Sequence, residues 1–460
     1  MEGISRHQAE PASGSGSSPL AAIKLMDLAA KLRIDRAWGG LWLGHRTARK
    51  SAYRAEHRIR AILAGLACGL RGIAAGNQWL RQDPAICTLG EGRFPDQGTI
   101  HRWLEDVSPT QVLELRKHLQ ESVRQHGRFR HQLGLPGGII VDVDAQGIVA
   151  AGQRFVQAQL GWMGDGFDRG FQRLVCYCAS TGEVLDEQLQ PGDGSLLTGM
   201  SRLLDSLDEL FAPEDRPQVW LRGDGHAGTI ATIGRVQQAG YQYVLKLFHS
   251  RTVDRIRKAV ADLPGEDVPT PQGTARCWDL PAWTLTNKDG PQRHVTTRVI
   301  LFADPPDDQG RRQWWAVAVS ATRAATEFWQ MYRDRGGAIE EYFDQSFRAY
   351  HLEIKRTSGL TGLEAVHLLA GLCWNLLRWE LTELRLPPAT APTRPRDAWV
   401  RADQLDLSAV LERSRYSGIR FRADPDGGAV LAEDTLGTPE SAAWSQWLKR
   451  PVQRLLLLAG

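Results

Sequence analysis

Two aspartates stand two residues apart inside the apolar run Ile139-Ile140-Val141-Asp142-Val143-Asp144. Strand interiors disfavour Asp, and at a spacing of two both side chains point to one face. Side by side, two carboxylates repel and raise each other's pKa unless a cation intervenes. Mg²⁺ is one such cation, binding through one or two carboxylates plus substrate phosphate. A third acid, Asp224, ends the apolar run Val219-Trp220-Leu221-Arg222-Gly223-Asp224. In open α/β sheets ligands gather beyond the carboxyl ends of strands, although Asp and Gly are also the ordinary residues of a strand-to-helix turn. A fourth, Glu340, follows Tyr332-x-x-Arg335 at the edge of an apolar stripe of Ile339, Tyr342 and Phe343. Arg335 offers a planar fork for phosphate oxygens. With 53 acids in 460 residues, spacing alone selects nothing. The contexts do: acid within a strand, acid closing a second strand, acid on a helix behind an arginine.

The elements that must position these residues follow from turn signals and periodicity. Pro136-Gly137-Gly138 opens the first strand. Two more strands are expected over 171–178 and 183–189, then a helix over 196–211, the Asp224 strand, a helix over 229–239 and a strand over 241–246. Strands first paired and then alternating with helices indicate a mixed α/β sheet. Residues 250–320 hold Trp278, Trp283, Trp314, Trp315 and alternating runs such as Arg298-Val299-Ile300-Leu301-Phe302, which read as β-rich. Helices are expected again over 325–332, 339–348 and 362–384, the last apolar enough to be buried. A Pro-rich linker over 387–395 precedes a small appendix with a helix over 406–413. Before the first strand, residues 21–127 are helical in pattern, and 1–20 read as a disordered tail.

Composition narrows the class. Charged residues at 24% and hydrophobic residues at 42% exclude a collagen-like or wholly disordered chain. No uninterrupted run reaches the ~18 apolar residues of a membrane helix, and the polar start carries no secretory signal, so no membrane partner is expected. Six cysteines without a CxxC argue for a reducing compartment and against a zinc ribbon. Cys176 and Cys178 read as core thiols. The net charge of +3 says little, but residues 1–60 carry eleven Lys/Arg against five acids. A second basic stretch runs through Arg116, Lys117, Arg124, Arg128 and Arg130. Such stretches can neutralise phosphates; a solvated helix face is the plainer reading.

At this point the chain resembles a DDE transposase of the insertion-sequence-four superfamily and its thirteen-eighty relatives, over roughly residues 60–385. Val141-Asp142-Val143-Asp144-Ala145 is similar to the family's "D-x-D-S/G-T" strand, with Gln146 where Thr is usual, so Asp144 is the favoured ligand and Asp142 the second choice. Leu189-Gln190-Pro191-Gly192-Asp193 resembles the "L-R-P-G-x" turn, and Leu221-Arg222-Gly223-Asp224-Gly225-His226 resembles "L-R-G/A-D-S-G-F". Tyr332-x-x-Arg335-Gly336-Gly337-x-Ile339-Glu340 resembles "Y-x-x-R-…-I-E", with one residue more than the usual three between Arg and Glu. The family's lysine seven places after the Glu is Phe347 here, with Arg348, or Lys355 and Arg356, as replacements. The run 368–379 is similar to the "L-A-x-N-L-L-R-W" helix.

The resemblance implies an RNase-H-like mixed-sheet core in two parts (136–250 and 323–385), a β-rich insertion between them (251–322), an N-terminal helical region that binds DNA ends (21–130) and an appendix (386–460). It implies a catalytic triad of Asp144, Asp224 and Glu340 holding two Mg²⁺ or Mn²⁺ ions, with Asp142 as a further ligand, and Tyr332 and Arg335 placing the phosphate. Arg49, Lys50, Arg54, Arg102, Arg128, Arg130, Arg348, Lys355 and Arg356 are the expected DNA contacts. The expected reaction is cleavage at an element's ends followed by strand transfer to target DNA, carried out by a homodimer on paired ends in the bacterial nucleoid, within the cytoplasm. The alternatives are a nuclease on the same fold that cuts without joining, and a non-catalytic DNA-binding descendant of a transposase.

Overall fold

The computed structural model of the chain describes residues 20–38, 41, 53–80, 94–248, 250–286, 294–320, 323–382, 405–416, 421–423 and 429–431. Arg49, Lys50, residues 1–19 of the tail expected over 1–20, the Pro-rich segment over 387–395 and most of the appendix lie outside the described residues, while Leu20 already opens the helix Leu20–Lys31. The chain divides into two compact units, one of Met1–Gly127, Ala150–Ala158 and Phe343–Gly460, the other of Arg128–Val149 and Gln159–Tyr342.

The second unit is built on one ten-stranded mixed sheet. Its strands are β1 (Ile139–Val149), β2 (Gln159–Trp162), β3 (Phe167–Cys178), β4 (Glu183–Pro191), β5 (Val219–Gly228), β6 (Gln242–Leu247), β7 (Glu266–Thr270), β8 (Gly273–Thr286), β9 (His294–Ala303) and β10 (Trp314–Val319). The order is β2-β3-β1-β5-β6-β10-β9-β8-β7, with β4 also on β3. Only β1–β5 and β5–β6 are parallel. Parallel neighbours need a crossover, and the helices Leu196–Leu210 and Ile230–Ala239 supply the two that lead into β5 and β6. Each begins on a hydroxyl cap, Ser195 and Thr229. Gly240, at φ 86°, ends the second helix in the left-handed conformation that glycine adopts without strain.

The stretch expected to be β-rich begins with the helix Ser250–Ala259 and then supplies β7 to β10. Because β10 pairs antiparallel with β6, these strands lengthen the central sheet. One face carries Trp220, Val244, Ile300, Phe302, Trp315 and Val317, and the helix Ala325–Arg333 covers it with Phe328 and Trp329. Met331 and Tyr332 pack on the same core. The cysteines of β3 are buried core thiols, and burial pushes both well up.

The first unit is helical apart from an antiparallel pair of short strands, Phe421–Ala423 and Ala429–Leu431. Its longest element, Leu360–Leu381, is apolar on all sides, and such a helix is buried. It is long and apolar enough to cross a membrane by length and composition alone, yet most of it is buried. Its Glu364 pairs with Arg116 of the helix Pro109–His126. Gly362 lets it approach the helix Gln97–Glu105, since a Cβ there would lie 2.2 Å from the Leu104 carbonyl oxygen. Of residues 323–385, expected together with the sheet, those through Tyr342 fall in the sheet unit and those from Phe343 in the helical one.

Candidate active site

The register of the parallel strands places the first acids. Asp142 lies beside Arg222 and Val143 beside Gly223, where the pairing of β1 with β5 ends. The β5–β6 pairing is interrupted between Gly223 and Gly228. Asp144 and Asp224 therefore come just past the last paired residues, where the strands part. A Cβ on Gly223 would stand 2.3 Å from that of Ala227, so glycine permits the chain to fold back here. Asp224 Oδ1 accepts the His226 N–H at 3.0 Å, and Asp144 Oδ1 accepts the Ala145 N–H at 2.8 Å.

Asp142 has different company. Its two oxygens accept Nε and Nη2 of Arg222 at 2.6 and 2.8 Å, and both side chains are buried. Arg222 Nη1 donates to the Met331 carbonyl at 2.8 Å, one residue before Tyr332. Burial pushes the Asp142 carboxyl up, and the Arg222 charge opposes that push.

The helical arm closes the cluster. Residues Gly336–Glu340 form a single π-helical turn, which accommodates the extra residue between Arg335 and Glu340. Five positions apart, the two side chains still meet: Arg335 Nη2 lies 3.4 Å from Glu340 Oε1. Arg335 Nη1 donates to Asp144 Oδ2 at 2.5 Å. Arg335 thus bridges one acid from the sheet and one from the helix. Burial pushes the Asp144 carboxyl up to about 6; the Asp224 charge adds to this and Arg335 opposes it. The Tyr332 phenol is pushed up to about 12, first by burial, with Asp224 and Asp144 adding to it. Tyr332 also rests against Trp315, ring centres 5.0 Å apart.

A second anchor was not foreseen from the sequence. Arg173 of β3 donates Nε and Nη2 to Glu187 of β4 at 2.6 and 3.0 Å, and Nη2 to the Tyr342 hydroxyl at 2.7 Å. The Tyr342 hydroxyl donates to Glu187 at 3.0 Å, and its ring stacks on Tyr177 at 5.1 Å. Arg173 and Glu187 are fully buried. The arm holding Tyr332, Arg335 and Glu340 is thus tied down at Met331 on one side and Tyr342 on the other. The signal that could have found this anchor is the one that marked Asp142: a charge inside an apolar strand.

The structure brings together Asp142, Asp144, Asp224, Tyr332, Arg335 and Glu340. Among the described residues, no three His, Cys, Asp or Glu side chains are grouped closely enough to hold an ion. By donor type the acids fit a hard divalent cation, which would supply the positive charge that neighbouring carboxylates need. In this arrangement Arg335 supplies that charge.

The expected DNA contacts are differently placed. Arg54 is exposed and 3.6 Å from Glu56. Arg102 is exposed on the helix Gln97–Glu105, and Arg130 is exposed as well. Arg128 is half-buried, its backbone N–H donated to Glu183 at 2.9 Å. Arg348 pairs with Asp344 at 2.8 Å and Asp406 at 3.4 Å. Lys355 is half-buried, and burial lowers its ammonium. Arg356 donates to the carbonyls of Leu70, Tyr350 and His351, which ties a loop to its own unit, and burial lowers its guanidinium to about 10.

No curated protein matches the chain. Among solved structures it is similar to a piggyBac transposase synaptic complex with hairpin DNA, determined by cryo-EM, at 14% identity and a TM-score of 0.41 over 80% of this chain and 77% of that one. The family described as transposase DDE domain, group 1, matches residues 13–359. A match over that much of the chain shows its family: this protein belongs to the DDE transposases of group 1.

Proposed function

We propose that this chain is the transposase of an insertion sequence, related to the insertion-sequence-four superfamily, and that Asp144, Asp224 and Glu340 are its catalytic triad. The observation that carries the reading is the meeting of Asp144, from the sheet, and Glu340, from the helical arm, at one arginine, with Asp224 close enough for its charge to push Asp144 up. The arrangement β4-β3-β1-β5-β6, with helices crossing into β5 and β6, supports an RNase-H-like core. The strands β7 to β10 then stand as its insertion.

Asp144, Asp224 and Glu340 would hold Mg²⁺ or Mn²⁺, two ions by the family resemblance. Bound there, the ions would lower the pKa of an attacking water and stabilise the leaving 3′ oxygen. In the first step the water oxygen bonds to phosphorus, the 3′ oxygen leaves as a hydroxyl, and the phosphate stays on the 5′ side. In the second, the oxygen of that 3′-OH bonds to a phosphorus of target DNA, the target's own 3′ oxygen leaves as a hydroxyl, and the element's end is joined to the target's 5′ phosphate. Arg335 turns its fork to phosphate oxygens, and Tyr332, protonated throughout the neutral range, donates a hydrogen bond rather than taking a proton. Asp142 is a positioning carboxylate in this scheme, because Arg222 occupies both its oxygens. Two ends must be cut together, so the working form is a homodimer on paired DNA ends.

The test is Asp144→Asn, Asp224→Asn and Glu340→Gln, made singly and assayed with Mg²⁺ or Mn²⁺ on a plasmid carrying the gene with its flanking DNA. Each is expected to lose roughly 10³-fold in strand cleavage, the equivalent of about 4 kcal/mol of transition-state stabilisation. Cleavage within a few-fold of wild type in all three would remove the triad. Cleavage without joined product would convert the reading to a nuclease.

A further inference from the structure

Lys246 lies on β6 two residues past Val244, and so on the sheet face that the helix Ala325–Arg333 covers. A strand interior is an unusual place for lysine. It sits opposite the stretch between Gly223 and Gly228 where β5 breaks its pairing, the stretch that holds Asp224. Its Nζ is 5.9 Å from the centre of the Tyr332 ring. The guanidinium carbon of Arg335 is also 5.9 Å from that centre. The two cations differ in one respect. Arg335 is engaged by Asp144 and Glu340, whereas Lys246 has, among the described residues, the ring contact and no carboxylate partner. A cation–π contact of this kind leaves all three ammonium protons available. A half-buried, unpaired ammonium beside an acid cluster is suited to an anion that arrives with the substrate.

We propose that Lys246 binds a non-bridging oxygen of the scissile DNA phosphate, sharing that phosphate with Arg335 across the Tyr332 site. The proposal rests on the catalytic reading above and adds to it a substrate contact that no motif marks. Lysine here would act as a point charge on the phosphate, so arginine should substitute for it in part.

The experiment compares wild type, Lys246→Met, Lys246→Gln, Lys246→Arg and Asp224→Asn on a duplex spanning the cleavage position, mapped beforehand by primer extension on the flanked plasmid. Each is assayed with an ordinary phosphate and with a neutral methylphosphonate at that position, and thermal melting checks folding. Lys246→Met and Lys246→Gln are expected to cut the ordinary duplex about 10- to 100-fold more slowly, the loss of one charge-assisted hydrogen bond. Lys246→Arg should recover most of that loss. On the methylphosphonate duplex the two uncharged variants should match wild type, because the charge that Lys246 reads is gone. An equal deficit on both duplexes would make Lys246 structural and overturn the proposal. So would wild-type cleavage by both uncharged variants while Asp224→Asn is inactive, an outcome that leaves the triad standing. Full cleavage by Asp224→Asn overturns the catalytic reading itself and this contact with it.

Discussion

Asp142 and Asp144 share a strand and a face, yet their neighbours give them different work. Asp142 is closed off by the Arg222 fork, while Asp144 meets a guanidinium that also reaches Glu340. Asp142→Asn would leave a buried Arg222 without its counter-charge, and breaking one partner of such a pair costs about 3–5 kcal/mol. Urea unfolding should show that loss. The double variant Asp142→Leu with Arg222→Met should recover most of the stability, because an apolar pair of similar volume can replace a buried ion pair. It should still cleave poorly, since nothing then holds the Met331 carbonyl and the Tyr332 that follows. A double variant with full cleavage would show that the fork does not position the arm. At this scale the sequence was informative about which acids are unusual, because a carboxylate inside an apolar run is visible locally. It could not say that Arg222 belongs to Asp142, or Arg173 to Glu187 and Tyr342. Those pairings depend on strand register and on helix placement across more than a hundred residues, and neither leaves a local trace.

The π turn shows how an element corrects a spacing. In an α-helix each residue turns roughly 100°, so positions five apart point some 140° away from each other. Across Gly336–Glu340 the wider turn brings Arg335 and Glu340 back to one side. Two adjacent glycines, poor helix formers, lower the resistance to that distortion. Deleting Gly337 should therefore convert the turn to an ordinary α turn and keep the two side chains on one face at four positions apart. Cleavage should stay within about tenfold of wild type, by less than the roughly 1.4 kcal/mol that a tenfold change represents. Inserting an alanine after Gly337 should swing Glu340 away and abolish cleavage while circular dichroism shows the helices intact. If deletion and insertion are equally damaging, the turn does not serve the alignment. Element boundaries elsewhere were less legible for a related reason. Gln146-Gly147 looks like the end of a strand, but β1 continues to Val149 because β3 is there to pair with it. The alternation in 266–319 announced strands without announcing their neighbour, and edge pairing with β6 joined them to the sheet.

At the scale of the whole chain, a helix such as Leu360–Leu381 is legible as buried from its composition, but the identity of what buries it is not. It packs on helices of its own unit, Gln97–Glu105 and Pro109–His126 among them, that lie more than two hundred residues earlier, a pairing that no contiguous window contains. That helical unit carries its own pH dependence. Trp38 Nε1 donates to His118 Nε2 at 3.1 Å, which requires the neutral ring. Burial lowers His118 to about 4, with Glu121 opposing. The unfolded chain holds a proton on this ring below its ordinary pKa of about 6.5, and the folded unit refuses it until about 4. Between those values the unfolded state binds more protons, so stability falls as pH falls. His118 alone accounts for about 3 kcal/mol across the window. Burial lowers His126 in the same direction. Thermal melts of wild type from pH 7 to pH 4 should therefore show a steep decline. In His118→Gln, whose side chain can still accept from Trp38 but does not titrate, the decline should shrink to what His126 and the carboxylates contribute. Parallel declines in the two proteins would mean that His118 takes up its proton without unfolding, and that the Trp38 hydrogen bond does not hold the ring neutral.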